Sequence, residues 1–233
     1  MSATIEVVDD PARACAAIMV GAAADGGHIV LAGGSTPRAA NEEFVTAVKA
    51  VGLDLRQTTF WFGDDRAVAP GDDRSNYKMV RESLIDPLGE DQLGRVLRIK
   101  GELGYAEAAD EYERELQAAG SPEFDLMLLG IGPDGHTLSL FPDQPTLDER
   151  ARLVVGVPEA GHEPFVPRVS MTLPAVGRAR HAVLLADGAS KAEAIAAAFG
   201  PNVQPNPHVP SSLLGAFAQR LTVLIDSAAA AGL

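Results

Sequence analysis

The stretch Phe124–His136, FDLMLLGIGPDGH, decides the fold, because an apolar run changes there within a few residues into a glycine-rich turn with reactive side chains. An unbroken apolar run such as Leu126–Leu129 is typical of a strand buried on both faces of a parallel sheet. Three glycines then indicate a tight turn. Ligands of open α/β sheets bind beyond the carboxyl ends of the strands, so Asp134 and His136 are predicted to lie in a functional site. The alternative for His136 is a partly buried imidazole that a backbone carbonyl satisfies.

The same turn matches the dinucleotide fingerprint G-x-G-x-x-G from Gly130 to Gly135. That motif requires a long helix after the turn, with its amino end at the pyrophosphate. Pro142 and Pro145 would interrupt such a helix after barely two turns. The sequence therefore disfavours a dinucleotide site.

A second glycine-rich turn follows the apolar segment His28–Ala32 and reads Gly33-Gly34-Ser35-Thr36-Pro37. Thr36 is expected to cap the next helix and Pro37 to occupy its first turn. Free backbone N–H groups at such a helix start would bind an anion, although a plain strand-to-helix turn is the alternative. The Walker A lysine is missing, which argues against a nucleoside triphosphate.

Charged side chains follow two further predicted strands. Asp64, Asp65 and Arg66 come directly after Thr58–Phe62. Lys191 follows the strand Ala182–Ala186 within a Ser-x-x-Glu capping box that would begin at Ser190. A cation in the first turn of a helix is unfavourable unless an anion is bound nearby, so Lys191 is a candidate anion ligand, with an ordinary surface lysine as the alternative.

Strands alternate with helices along the chain, which is the pattern of a parallel sheet covered on both faces. We predict one α/β domain over residues 1–233, with a helix after the Asp10-Pro11 start signal. His162, in the proline-rich segment between two extended stretches, is expected to be exposed and inert. The remaining predicted strands and the second clear helix are, in order, Ile5–Val8, Val96–Ile99, the helix Tyr105–Leu116, Leu153–Val157, Arg168–Thr172 and Leu221–Ile225.

Composition narrows the function classes. A formal charge of −13 and a pI near 4.7 disfavour nucleic acid and anionic membranes as partners. The single Cys15 excludes a disulfide framework, and no ligand spacing indicates a metal. The amino terminus lacks a signal peptide pattern, so the expected location is the cytoplasm. No G-x-S-x-G elbow, H-E-x-x-H pair or reactive Cys is visible, which disfavours serine, zinc and cysteine hydrolases.

Five segments in order resemble the family of 6-phosphogluconolactonases and glucosamine-6-phosphate isomerases. These segments are LAGGSTPRAA, WFGDDRAVAPGDDRSNYKM, FDLMLLGIGPDGHTLSLFP, RVSMTLPAV and GASKAEAI. The match runs in order from Ala32 to Lys191, and the order and spacing of the five segments are highly specific. The resemblance implies a Rossmann-like three-layer α/β fold with a mostly parallel sheet, of the sugar-phosphate isomerase and CoA-transferase type.

The resemblance also implies an activity, which is hydrolysis of 6-phospho-D-glucono-1,5-lactone in the oxidative pentose phosphate pathway without a cofactor. His136 matches the catalytic base of the family, and Asp134 matches the acid beside it. The partner would be a small phosphorylated sugar lactone, and the oligomeric state stays open, with a monomer allowed. The positions that match the substrate site are Gly33, Gly34, Ser35, Thr36, Asp64, Arg66, Arg168 and Lys191. Asp65 stands where the family usually has Glu, so no role is assigned to it.

Two other functions fit the same fold. The deaminases of the family follow D-G-H with a segment that ends in Asn-Glu-Pro, whereas this chain has Leu140-Phe141-Pro142. Phe141 cannot replace the glutamate in proton transfer, so deamination is disfavoured. A sugar-phosphate sensor is disfavoured because the sequence shows no DNA-binding helices before the first strand.

Lactone hydrolysis itself needs a base that takes a proton from water and donors that stabilise an oxyanion. A neutral imidazole suits the first task. Arg66 and the glycine-rich backbone are both candidates for the second.

Overall fold

Ten strands form the framework of the protein in residues 3–24 and 26–233, the part of the chain that the computed structural model describes. In chain order they are β1 Thr4–Val7, β2 His28–Leu31, β3 Leu55–Phe62, β4 Asp64–Arg66, β5 Leu93–Leu97, β6 Leu126–Leu129, β7 Val154–Val157, β8 Arg168–Met171, β9 Ala182–Ala186 and β10 Leu221–Ile225. The apolar runs of the sequence account for most of them, and their bounds lie within a few residues of the predicted ones.

Eight α-helices lie between the strands of this described part. They are α1 Pro11–Ala23, α2 Ser35–Val51, α3 Asn76–Val80, α4 Asp86–Leu88, α5 Tyr105–Ala118, α6 Leu173–Val176, α7 Ala192–Phe199 and α8 Leu214–Phe217. The start of α1 is confirmed, since the Asp10 side chain accepts from the backbone N–H of Arg13 and Pro11 is the first residue. Between α3 and α4 the chain is π-helical over Arg81–Ile85.

Seven strands form one parallel sheet in the order β1-β10-β9-β6-β2-β3-β5. This confirms the predicted α/β class. The chain runs outward from β2 to β3 and β5, and from β6 it runs in the opposite direction to β9 and β10. Right-handed connections in opposite directions put α1 and α2 on one face of the sheet and α5 and α7 on the other. The reversal between β2 and β6 is the topological switch point, where ligands of such sheets bind.

A second, antiparallel sheet of β4, β8 and β7 stands apart from the parallel one. The sequence predicts β7 and β8 as extended but gives no reason to separate them from the parallel sheet, and it treats β4 as a polar strand end. β4 can be a strand because its two acids, Asp64 and Asp65, are buried with hydrogen-bond partners rather than solvated. Its pairing with β8 places Arg66 directly opposite Arg168.

The core lies between the parallel sheet and its helices. One of these helices, α5, contacts both sheets. Trp61 on β3 is fully buried and packs edge-on against Tyr112 of α5. The Tyr112 hydroxyl accepts from the backbone N–H of Phe62 and donates toward the Leu97 carbonyl, so its polar end is satisfied. Burial raises its pKa well above the ordinary value. On the other side of α5, the Glu113 carboxylate accepts from the backbone N–H of Val154 in β7 at 2.7 Å.

Candidate active site

A cleft of about 290 Å³ opens at the carboxyl ends of β2 and β6. The two strand ends lie side by side because β2 pairs with β6, and an ideal Cβ at Gly130 would lie 3.9 Å from the Gly33 carbonyl oxygen. The predicted site residues that line the cleft are Gly33, Gly34, Ser35, Thr36, Asp64, Arg66, His136, Arg168 and Lys191. Asp134 contributes through its contact with His136. The structure therefore brings together residues that are up to 158 positions apart, from Gly33 to Lys191.

His136 and Asp134 form a pair at the centre of the cleft. The Nδ1 atom of His136 lies 2.5 Å from Oδ1 of Asp134. A carboxylate only accepts, so Nδ1 carries the hydrogen and Nε2 keeps the lone pair of the neutral ring. Burial of Asp134 acts to raise its pKa, but the hydrogen bond and the charge interaction with His136 outweigh it, and the pKa is lowered. The other face of the ring packs on Phe141 at a centroid distance of 4.7 Å.

Glycines and a distant serine hold the turn that carries His136. The ideal Cβ position at Gly132 lies 2.1 Å from the imidazole, so any side chain there would displace the ring. Gly135 has φ +79°, a conformation that favours glycine. Its carbonyl accepts two hydrogen bonds from Ser211, one from the backbone N–H at 2.9 Å and one from Oγ at 2.7 Å. No dinucleotide-type helix follows this turn in the described chain, where the next helical residues are the 3-10 turn Pro145–Asp148.

The second turn, Gly33 to Thr36, forms the start of α2. The N-cap is Gly34 with φ 113°, and no side chain caps the helix, so the prediction that Thr36 caps it is wrong. The Thr36 hydroxyl instead donates to Oδ1 of Asp187 at 2.5 Å. The first amides of α2 have no partner within the helix and face the cleft. This is the geometry of an anion site, with one carboxylate at its edge.

Lys191 lines the same cleft as this helix start. Residues Ala189–Lys191 form a 3-10 turn before α7, and Ser190 makes no cap hydrogen bond, so the predicted capping box is wrong. The Lys191 ammonium donates to the Ile131 carbonyl at 2.8 Å. Among the described residues no carboxylate lies within ion-pair distance of Lys191, so its charge is available to a ligand.

A buried polar network on β4 positions Arg66. Asp64 accepts from the Ser139 hydroxyl at 2.6 Å and from the Asn76 side chain at 3.3 Å. Asn76 in turn accepts from Nη1 of Arg66 at 2.9 Å. Asp65 anchors the start of α3 through the backbone N–H groups of Asn76 and Tyr77, and burial raises its pKa to about 6 against the opposing effect of these donors.

Sequence reasoning assigns no role to Asn76, although its place at the first position of α3 after the capping Ser75 makes it a fixed point. The ideal Cβ position at Gly33 is 2.0 Å from the Asn76 amide oxygen, which shows how closely α3 approaches the glycine-rich turn. The sequence signal that could have revealed Asn76 is the pair Ser75-Asn76 at a helix start. In the structure this helix start lines the same cleft as the start of α2.

Arg168 lines the cleft, but most of its donors are directed into the protein. It is only 3% exposed, and its guanidinium donates to the carbonyls of Val166, Pro164 and His162. Burial, with a smaller contribution from the facing Arg66, lowers its pKa to about 10, so it stays cationic at neutral pH. Arg168 therefore supports the preceding loop, and this role takes up most of its donors.

The structure corrects the prediction that His162 is exposed, because the residue is half-buried. The side chain lines the cleft, and its ring lies 5.6 Å from the His136 ring between centroids. The placement depends on contacts with distant residues, since Arg168 binds the His162 carbonyl and Gly161 packs on Phe141. No local pattern of charge or hydropathy could reveal it.

This arrangement combines a fixed imidazole with three cationic side chains and a helix start, a set of groups that could remove a proton beside a bound anion. In residues 3–24 and 26–233 no group of three or more His, Cys, Asp or Glu side chains is placed to hold a metal ion. The helices of the same residues are all too short or too polar to cross a bilayer.

Comparison with known proteins gives concordant results. Residues 4–223 match the family described as glucosamine-6-phosphate isomerases/6-phosphogluconolactonase. A human 6-phosphogluconolactonase is 36% identical over 207 residues, which cover 86% of this chain and 78% of the relative. The solved 6-phosphogluconolactonase from Trypanosoma cruzi superposes with a TM-score of 0.81 at 28% identity, covering 100% of this chain and 98% of the other. A solved monomeric glucosamine-6-phosphate deaminase gives a TM-score of 0.84 at 20% identity over 100% of both chains, and this likeness concerns the fold alone.

Proposed function

The chain belongs to the family of glucosamine-6-phosphate isomerases and 6-phosphogluconolactonases, and from that premise we propose that it hydrolyses 6-phospho-D-glucono-1,5-lactone to 6-phosphogluconate. This reaction is the ester-hydrolysis step of the oxidative pentose phosphate pathway. The observation that carries the proposal is the Asp134–His136 pair, whose free Nε2 belongs to a ring that lines a cleft with a helix start and Lys191.

His136 acts as the general base. Its Nε2 takes a proton from water while the water oxygen attacks the lactone carbonyl and the carbonyl electron pair moves onto oxygen. When the tetrahedral intermediate collapses, the bond between the carbonyl carbon and the ring oxygen breaks, and the imidazolium returns the proton to the ring oxygen. Asp134 keeps the hydrogen on Nδ1 and stabilises the imidazolium.

The phosphate group binds at the start of α2. The amides of Ser35 and Thr36 and the hydroxyl of Ser35 donate to it, and Lys191 supplies the charge. Arg66 is the better candidate of the two cleft arginines for the oxyanion, because Asn76 and the Arg74 carbonyl fix its Nη1 while Arg168 supports a loop.

The deaminase alternative has no support from the site. Phe141, at the position where those enzymes carry their glutamate, is 1% exposed and packs on the His136 ring. The side chain fills space and offers no group for proton transfer. We therefore expect no ammonia release from glucosamine 6-phosphate above that of an inactive variant.

The test is incubation of the protein with freshly made lactone while acid release is followed. The wild type should exceed spontaneous hydrolysis, and His136→Asn, which cannot act as a base near neutral pH, should lose ~10² to 10⁴ in kcat with little change in KM. The activity should persist in EDTA. A wild type that adds nothing to the spontaneous rate would refute the proposal, and a fully active His136→Asn variant would assign the base to another residue.

Affinity for the product tests the phosphate site separately. Lys191→Ala should weaken 6-phosphogluconate binding by about 1.5–3 kcal/mol, the range for a hydrogen bond to a charged group. Unchanged product affinity in the folded variant would place the phosphate elsewhere in the cleft.

A further inference from the structure

The loop of residues 158–167, which joins β7 to β8, brings a second imidazole to the cleft. We call it the His162 loop. It is held from inside the protein, because the buried Arg168 donates to the carbonyls of His162 at 3.2 Å, Pro164 at 2.8 Å and Val166 at 3.2 Å. Gly161 lies against the Phe141 ring, with its ideal Cβ position 3.1 Å away. The position of His162 is therefore built by buried contacts.

His136 and His162 have the same tautomer when neutral. The Nδ1 atom of His162 lies 3.0 Å from the Glu163 carbonyl oxygen, and a carbonyl can only accept. Nδ1 of His162 therefore carries the hydrogen and Nε2 the lone pair, as in His136, where Asp134 is the acceptor. The two rings are 5.6 Å apart between centroids and inclined by 43°, and both line the same cleft.

We propose that His162 is a second catalytic residue, whose Nε2 accepts one hydrogen of the attacking water while Nε2 of His136 removes the other. The inference rests on the proposed lactone hydrolysis. A water molecule has two hydrogens, and two hydrogen bonds of about 2.9 Å each can bridge groups separated as these rings are. Only His136 takes a proton. His162 gains none, and its hydrogen bond directs the oxygen lone pair at the lactone carbon, which is the orientation that a bound water otherwise lacks.

The reaction then requires both imidazoles to be neutral. A protonated His162 has no lone pair to accept with, and its charge would also oppose proton uptake by His136. The charged groups around the pair within the described chain are Asp64, Arg66, Asp134, Glu163, Arg168 and Lys191. The Nδ1–H of His136 contacts the charged Asp134 carboxylate, whereas that of His162 contacts the neutral Glu163 carbonyl. This difference in partners assigns proton uptake to His136, where a carboxylate can pair with the imidazolium, and acceptance without uptake to His162.

The test compares His162→Gln with His162→Leu. Glutamine can still accept a hydrogen through its side-chain oxygen but does not titrate, whereas leucine neither accepts nor titrates. His162→Leu should lower kcat roughly 3- to 10-fold, the equivalent of one net hydrogen bond, with KM unchanged. His162→Gln should recover most of kcat at pH 8. Imidazoles titrate between pH 5 and 8, so the acid limb of log kcat should have a slope of 2 in the wild type and 1 in His162→Gln.

Two controls separate this role from a structural one. Phe165→Ala changes a 70% exposed residue of the same loop and should keep wild-type kcat and slope. Binding of 6-phosphogluconate should be equal in all variants, which reports that the loop and the phosphate site are intact.

A His162→Leu variant with wild-type kcat, a rise in KM alone, or a slope of 2 in His162→Gln would overturn the inference while leaving the proposed function intact. A wild type without lactonase activity would instead remove both.

Discussion

At the scale of single residues, the contact between Asp134 and His136 gives the free energy of unfolding a pH dependence with a definite sign. The pKa of Asp134 in the folded protein lies below its ordinary value of 3.8. A carboxyl group with a lowered pKa adds stability above its ordinary pKa, and this contribution is lost as the pH falls through the folded value.

Asp134→Asn keeps an acceptor oxygen but removes the charge. We expect the variant to be less stable than the wild type at pH 5 to 7 and the difference to shrink below about pH 4. Urea unfolding at a series of pH values measures it. A difference that stays constant down to pH 2 would show that packing, and not the charge, determines the effect.

A second residue-scale prediction concerns Asp187, whose carboxylate receives the only hydrogen of the Thr36 hydroxyl. That hydrogen is then not available to a phosphate oxygen, and the negative charge stands next to the proposed phosphate site. Asp187→Asn should therefore raise the affinity for 6-phosphogluconate, on the order of 2- to 5-fold because the group is exposed and screened. Isothermal titration would measure this.

The matched control is Asp91→Asn, which removes the same charge just before β5, at the opposite end of the strands. Equal affinity changes in the two variants would mean that only the net charge of the protein matters.

At the scale of elements, a segment from the far end of the chain supports the turn that carries His136. Ser211 donates twice to the Gly135 carbonyl, and Val209 packs where a Cβ of Gly135 would lie. Ser211→Ala removes the Oγ hydrogen bond, so we expect a loss of about 0.5–1.5 kcal/mol in stability and a lower kcat with unchanged product affinity. Ser212→Ala is the control, because its hydroxyl bonds to Asn206 and not to this turn. Equal kcat values in the two variants would contradict a positioning role.

The elements also show what the sequence could predict. Apolar runs such as β6 and β9 are local signals and are placed within a residue or two. The predicted caps at Thr36 and Ser190 are wrong because a hydroxyl near a helix start can form its hydrogen bond with a residue outside the helix. Thr36 does so with Asp187, 151 positions away. The sequence does not predict β4, because its two acids can be buried only where distant residues donate hydrogen bonds to them. These donors lie on α3 and in the segment that follows His136.

At the scale of the whole molecule, the class of fold is predictable and the strand order is not. Alternating strands and helices indicate a parallel sheet, but the reversal between β2 and β6, which creates the cleft, depends on which strands pair over long distances. The resemblance supplied the identity of most site residues. It could not supply His162 or Asp187, whose positions follow from tertiary contacts of this chain.

We also propose that residues 1–233 form one cooperative domain, because α5 binds both sheets through Tyr112 and Glu113. Fluorescence of Trp61, the only tryptophan, and hydrogen exchange of the β7 and β8 amides should report the same unfolding midpoint in urea. Earlier exchange in β7 and β8 would show that the small sheet unfolds on its own.

The existence of two sheets has an evolutionary consequence. The proposed phosphate contacts come from ends of the parallel sheet, whereas Arg66, Arg168 and the His162 loop come from the small sheet and its connections. On the proposed function, mutations in the small sheet would change the side of the cleft that contacts the sugar ring and would leave the phosphate contacts unchanged. Such a division would let related proteins inherit the phosphate site while the specificity for the sugar ring changes.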